Sequence, residues 1–156
     1  MSHLVPDSVT PEGLTAFLHE QIPLSQAMGL RAIETNALRV VLEAPLNANR
    51  NHLGTAFGGS LHTMATLAGY AAVWMLMREA GLDGHVLLKR SECDYRTPVK
   101  GALRATCARP QPARTNDFIA AVRRHRKARM ELTATIEGVE PGKPAVEFRG
   151  MFVAVV

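Results

Sequence analysis

The sequence predicts an α+β fold in which one antiparallel sheet curls around a single long, buried helix. Three observations carry this expectation. Residues 61–77 form a stretch apolar nearly all the way round, and a helix of that kind must be covered on every side. Because His62, Thr63, Thr66 and Gly69 interrupt it, the stretch falls short of the ~20 apolar residues that a bilayer span requires. Strand-like segments lie on both sides of it, two before and four after, so a sheet is the available cover.

Thr10 and Pro11 mark a helix start, with Thr10 as N-cap and Pro11 in the first turn, and Leu14, Phe17, Leu18 and Ile22 recur at helical spacing. Pro23 is expected to end this helix, so that residues 1–22 are a tail and a short amphipathic element. Residues 27–35 and 38–44 read as two strands turning at Asn36, since Leu38, Val40 and Leu42 alternate against Arg39 and Glu43. Pro45 closes the second strand and releases a loop rich in Gly, Asn and Thr. The Gly58-Gly59-Ser60 turn should then open the long helix, with Ser60 as its cap.

Gly81 to Gly84 supply the helix stop. Residues 85–97 are extended, Pro98 to Gly101 turn, and residues 101–109 form the next strand. With no helix between them, these two strands are expected to pair antiparallel. Residues 110–115 read as a loop and 116–124 as a short helix running into the basic run Arg123, Arg124, His125, Arg126, Lys127 and Arg129. The last two strands alternate cleanly, Met130, Leu132, Ala134 and Ile136, then Val146, Phe148, Gly150 and Phe152, joined by the Pro141-Gly142-Lys143-Pro144 turn.

A length of 156 residues fits one domain spanning 1–156. With 47% hydrophobic and 21% charged residues, the chain is neither disordered nor of low complexity. The net charge of +4 permits a phosphate-bearing partner. Aromatic residues make up only 5%, too few to stack single-stranded nucleic acid, and no helix-turn-helix or zinc-ligand spacing appears, so neither nucleic acid nor a metal is expected. Cys93 and Cys107 form neither a CxxC pair nor a disulfide framework and should be reduced. With no basic-then-apolar leader at the start and no spanning segment, a cytoplasmic, membrane-free protein is expected.

The chemistry should sit where the loop meets the long helix. Backbone N–H groups at a helix N-terminus favour an anion or a developing oxyanion, and glycines let a ligand come close. His62 and Thr66 share a helix face, so a chain of His62, Thr66 and water is available. Mutual satisfaction of these polar groups inside the sheet is the plainer alternative, as a solvated face is for the basic run.

The segment NHLGTAFGGSL, the strand end Tyr95-Arg96-Thr97-Pro98-Val99 and the late FRGMFVAV strand resemble the hotdog-fold thioesterases, most closely the family typified by the C-terminal domain of YiiD proteins. The likeness covers roughly residues 23–156. It implies a hotdog fold, a curved antiparallel sheet wrapped around one long central helix. In the related phenylacetate-type acyl-CoA thioesterases the loop carries Asn, then His-Gly-Gly, then an Asp on the helix. Here Asn51 and Gly58 match, Phe57 stands at the His position and Thr66 at the Asp position, and the hydroxyl expected on the next strand falls near Leu88.

The resemblance implies an enzyme hydrolysing acyl-CoA or acyl carrier protein thioesters. The Gly58 N–H would polarise the carbonyl, Asn51 would orient, and Thr66 would hold the water. His52, Gly54, Thr55, Phe57, Gly59, Ser60, His62, Thr63, Asp94 and Tyr95 are the expected substrate-binding residues, with Arg123, Arg124 and Arg126 for the phosphates of coenzyme A. No cofactor is implied beyond the coenzyme A of the substrate. Hotdog proteins build sites between subunits, so a homodimer or a dimer of dimers is expected. Two alternatives remain: a non-catalytic acyl-CoA-binding or sensing protein, because Thr66 replaces the acid, and a hydroxyacyl dehydratase or hydratase, disfavoured by the absence of a carboxylate in the loop and helix interior.

Overall fold

A computed structural model describes residues 9–156; Met1 to Ser8 of the expected N-terminal tail lie outside the described residues. The element order is α1 (Pro11–Gln21), α2 (Pro23–Ala27), β1 (Arg31–Thr35), β2 (Arg39–Ala44), α3 (Gly58–Glu79), β3 (His85–Tyr95), β4 (Leu103–Ala108), α4 (Pro112–His125), β5 (Lys127–Ile136) and β6 (Val146–Val155). The six strands form one sheet in the order β1-β2-β4-β5-β6-β3, with every neighbouring pair antiparallel. The sheet curves around α3, which packs against all strands from β2 to β6.

The wrapping follows from side-chain alternation. Val40, Leu42 and Ala44 of β2, Leu103, Ala105 and Cys107 of β4, Met130, Leu132, Ala134 and Ile136 of β5, and Phe148, Phe152 and Ala154 of β6 are buried against the helix. From α3 they meet Met64, Ala65, Ala68, Ala71, Ala72, Val73, Met75 and Leu76, all buried. Gly69 admits the ring of Phe152, for a Cβ at Gly69 would stand 2.6 Å from Phe152 Cε2 and Cζ. Gly150 makes room on the strand side, where a Cβ would fall 2.7 Å from the ring of Phe148 and 3.0 Å from that of Phe152.

The local signals at Thr10, Asn36 and Gly81 act as expected. Thr10 Oγ1 accepts from Gly13 N at 3.0 Å, Asn36 Oδ1 accepts from Leu38 N and Arg39 N, and Gly81 takes a left-handed φ of 70° just past α3. Two prolines act differently. Pro23 does not simply stop a helix but opens α2, so β1 begins at Arg31 rather than near residue 27. Pro112 likewise opens α4 four residues before the expected helix start, since proline has the φ of a first turn and needs no donor there.

Two further expectations are corrected. β3 and β4 do not pair: β3 lies at the edge beside β6, while β4 is inserted between β2 and β5. Covering a helix on all sides requires the chain after β3 to cross to the other half of the sheet. Ser60 does not cap α3 either; the cap position is Phe57, which offers no side-chain acceptor, and Ser60 lies in the first turn.

β4 pairs with β5 only over Ala105 to Cys107. Beyond this, α4 flanks the first half of β5, burying Phe118, Ile119 and Val122, and the Arg114 guanidinium donates to the Glu131 carbonyl. The other end of α3 is tied by Arg109, whose side chain pairs with Glu79 through Nη1 to Oε1 at 2.8 Å and also reaches the Asn36 carbonyl at 3.2 Å. No helix among the described residues is long and apolar enough to cross a membrane.

Gly69→Ala sets two opposed effects against each other. Alanine favours helix by about 1 kcal/mol over glycine, whereas overpacking costs about 1–3 kcal/mol. Because the obstructing group is a buried ring with Gly150 already accommodating it, overpacking should win. Urea unfolding is expected to show a net loss of about 1 kcal/mol, and an unchanged or higher midpoint would show that Phe152 is free to move.

Candidate active site at the start of the central helix

The loop leading into α3 is shaped by two asparagines. Asn49, 2% exposed, donates from Nδ2 to the Met28 carbonyl at 2.9 Å and to the Pro45 carbonyl at 2.7 Å, while its own carbonyl accepts from Phe57 N at 2.7 Å. Asn51 folds the tip: Oδ1 accepts from Leu53 N at 2.9 Å and Thr55 N at 3.1 Å, and Nδ2 donates to Thr55 Oγ1 at 2.8 Å. Gly54 permits this turn with a φ of 76°. His52 and Leu53 are left exposed at the tip, and Ala56 N donates to the Val99 carbonyl at 2.8 Å.

The chain then enters α3 with Phe57 extended, at φ −68° and ψ 134°. The first backbone bond of the helix entry runs from Leu61 N to the Phe57 carbonyl at 3.0 Å. Among the described residues the N–H groups of Gly58, Gly59 and Ser60 therefore have no acceptor. With the positive end of a helix ~33 Å long behind them, they form a donor set suited to negative charge. The Phe57 ring lies where a side chain at Gly59 would be.

Side chains of α3 and β3 are bonded at or beside the first turn of α3. Tyr95 donates from its hydroxyl to the Gly58 carbonyl at 3.2 Å, and local desolvation, reinforced by Cys93, pushes its phenol up to about 12. Cys93 is likewise raised by burial, so both stay protonated at neutral pH. His62 Nε2 and Ser91 Oγ are 2.9 Å apart, and the edge of the His62 ring meets Phe148 at a centroid separation of 5.6 Å. The Thr63 hydroxyl donates back to the Gly59 carbonyl at 2.8 Å.

No direct hydrogen bond joins His62 to Thr66. His62 is engaged by Ser91, and Thr66 Oγ1 is buried with no partner. Ser91 was hidden from the sequence reading by a bulge in β3 between Leu88 and Arg90. The extra residue, Lys89, shifts the alternation, so that Ser91, Cys93 and Tyr95 face α3 in place of Arg90, Glu92 and Asp94. Asp94 consequently lies on the outer face, opposite Glu147, away from the helix.

The basic run is not brought to this end either. Arg123 donates from Nη2 to the Ala80 carbonyl at 3.0 Å, beyond the far end of α3, and Arg126 is the left-handed C-cap of α4 at φ 65°. Arg124 is exposed nearby. Asn49 is a further residue that shapes the loop, and the sequence marks it only as the middle one of three alternating asparagines, Asn47, Asn49 and Asn51.

One curved antiparallel sheet closed over a long helix that begins in a set of open backbone donors is the architecture of a hotdog protein. Residues 12–156 match the family described as "Putative thioesterase (yiiD_Cterm)", and the chain belongs to that family. A protein of unknown function from Chlorobaculum tepidum is 32% identical, with a TM-score of 0.88 over 95% of this chain and 98% of that one. A structure from Shewanella oneidensis described as a putative thioesterase is 27% identical, with a TM-score of 0.83 over 94% and 97% of the two chains. A Pseudomonas aeruginosa protein described as a probable thioesterase is 25% identical, with a TM-score of 0.75 over 96% and 98%.

Thr66→Val tests whether the buried hydroxyl is kept for something other than stability. Removing an unsatisfied buried polar group relieves about 1–3 kcal/mol, and valine and threonine have similar helix propensity. Thermal unfolding of Thr66→Val is therefore expected at a higher temperature than wild type. A lower one would mean that the hydroxyl has a partner in the free protein.

Proposed function

We propose that this protein hydrolyses acyl thioesters of coenzyme A or acyl carrier protein at the N-terminus of α3. The observation that carries the reading is the set of open N–H groups on Gly58, Gly59 and Ser60. A thioester carbonyl seated there gains negative charge as water attacks, and preorganised donors stabilise the tetrahedral oxyanion more than the neutral carbonyl. Collapse breaks the C–S bond and releases an acid and a thiol. Asn51, whose amide is engaged within the loop, holds the donor geometry, and Thr66 offers its unpartnered hydroxyl to substrate or water.

The site would be completed by a second copy of the chain. β3 is an edge strand of 11 residues, with Leu87 59% exposed and an unpaired side, the kind of edge that proteins cover. Two-fold antiparallel pairing of β3 with its copy sets the His85 end of one strand beside the Tyr95 end of the other. The partner's basic run then falls on the side where the first subunit opens its donors, within reach of the phosphates of coenzyme A. A non-catalytic acyl-thioester-binding role is the second reading, favoured by the lack of any carboxylate on α3 before Glu79.

Gly58→Pro is a selective test. Proline suits the first helical position, Phe57 already has the extended conformation that proline demands of the residue before it, and a Cβ at Gly58 meets Tyr95 at an ordinary 3.7 Å. The change deletes one donor. On an acyl-CoA panel monitored for thiol release, wild type should turn over and Gly58→Pro should lose about 10²–10³ in kcat with its unfolding temperature retained. Saturable acyl-CoA binding without thiol release in wild type would favour the binding role instead.

Charge reversal of the basic run tests the second copy's contribution. Arg124→Glu with Arg126→Glu should raise KM for acyl-CoA by about tenfold, through lost phosphate contacts, and leave KM for the matching acyl-pantetheine unchanged. Equal effects on both substrates would argue against a phosphate role.

A further inference from the structure

We propose that His62, held by Ser91, is the group that takes the proton from the attacking water and returns it to the departing sulfur; this rests on the hydrolase reading. The reaction needs a base, α3 carries no carboxylate before Glu79, and Thr66 is an alcohol. Candidates near the open donors fall away one by one. Tyr95 is a protonated donor to the Gly58 carbonyl and Cys93 a neutral thiol. Glu92 and Asp94 are turned to the outer face by the bulge. Glu79 is at the far end of α3, paired with Arg109. His52 sits exposed on the loop tip with no hydrogen bond to fix it among the described residues.

His62 has what those groups lack. It lies one helical turn after Gly58, on the half-buried stripe that includes Thr63, Thr66 and Tyr70. Its ring is fixed twice, by Ser91 Oγ on Nε2 and by the edge contact with Phe148. Ser91 in turn is set by the β3 bulge and stands opposite Gly150. With Nε2–H donating to Ser91, the lone pair is on Nδ1, which has no partner among the described residues. A base oriented by a hydroxyl through its second nitrogen is a familiar arrangement for acid–base work.

The step balances without another reactant. Water forms a bond to the thioester carbon as its proton moves to Nδ1, and the carbonyl electron pair moves to the oxygen held by the Gly58, Gly59 and Ser60 N–H groups. Collapse re-forms the C=O bond and breaks C–S, and the imidazolium gives its proton to the sulfur. The products are a carboxylic acid and a thiol, and His62 is again neutral. Ser91 touches neither water nor sulfur and is a positioning residue.

His62→Gln keeps an amide able to reach Ser91 but cannot accept a proton from water, and should lower kcat by 10²-fold or more, the order expected for loss of a general base, with KM within about threefold and unfolding unchanged. In His62→Ala, added imidazole should restore thiol release in a saturable way and have no effect on wild type or Gly58→Pro. Ser91→Ala should cost about tenfold in kcat at constant KM, through lost orientation, and Ser91→Thr should recover most of it. A folded His62→Gln enzyme with wild-type kcat, or a covalent acyl group on Ser91 found by mass spectrometry, would overturn the assignment. A wild-type protein releasing thiol from no thioester would instead defeat the hydrolase reading and this one with it.

Discussion

Everything in this fold answers to the need to cover α3 on every side. A surface helix leaves half its circumference to water, but here Met64, Leu67, Val73, Met75, Leu76 and Met77 spread around the axis, and burying each such side chain contributes about 1.5–3 kcal/mol. Ala65, Ala68, Gly69, Ala71 and Ala72 let the strands approach closely. The strand order, with β3 and β4 on opposite halves of the sheet, is the connectivity that brings cover from both directions around one axis. Where the sheet leaves an opening another element fills it, as α4 does beside the unpaired stretch of β5.

The same demand explains the position of the polar groups. Any polar side chain inside the wrap must find a partner, and most do so locally: Thr63 with Gly59, His62 with Ser91, Asn51 with Thr55. Among the described residues Thr66 Oγ1 is buried without a partner, as are Ser25 Oγ, Asn49 Oδ1 and Arg109 Nε elsewhere, and at the helix start three backbone donors meet no acceptor. Thr66 and those backbone donors lie within about two turns of each other on one helix. Unsatisfied groups are costly in a folded protein, so their coincidence at one place is the physical argument for a ligand.

The central helix, the strands on both sides of it and the turns at Asn36, Gly81 and Gly142 were legible in the sequence because each rests on a local rule: apolar periodicity, an acceptor side chain two residues ahead, or a residue tolerant of positive φ. Pro23 and Pro112 were misjudged because proline both ends and begins helices, and only the packing of the following residues decides. Strand adjacency is a global property, and nothing local marks β3 as an edge. Within the site, the donors at Gly58 could be anticipated from the glycines that open the helix, whereas the contact from Tyr95 to the Gly58 carbonyl and the place of Ser91 could not. Counting by twos along β3 directs Arg90, Glu92 and Asp94 inward, and one inserted residue at Lys89 reverses the answer.

Asn49 gives the molecule a mechanical property that neither helix nor sheet supplies. Through one amide and one carbonyl it joins the turn after α2 at Met28, the end of β2 at Pro45 and the residue preceding Gly58. Three segments distant in sequence thus share a single rivet. A displacement of the N-terminal helices cannot proceed without straining or breaking that joint, and the strain would be felt first at the backbone that sets the direction of the Gly58 N–H. The outer helices and the innermost helix start are in this sense geared together.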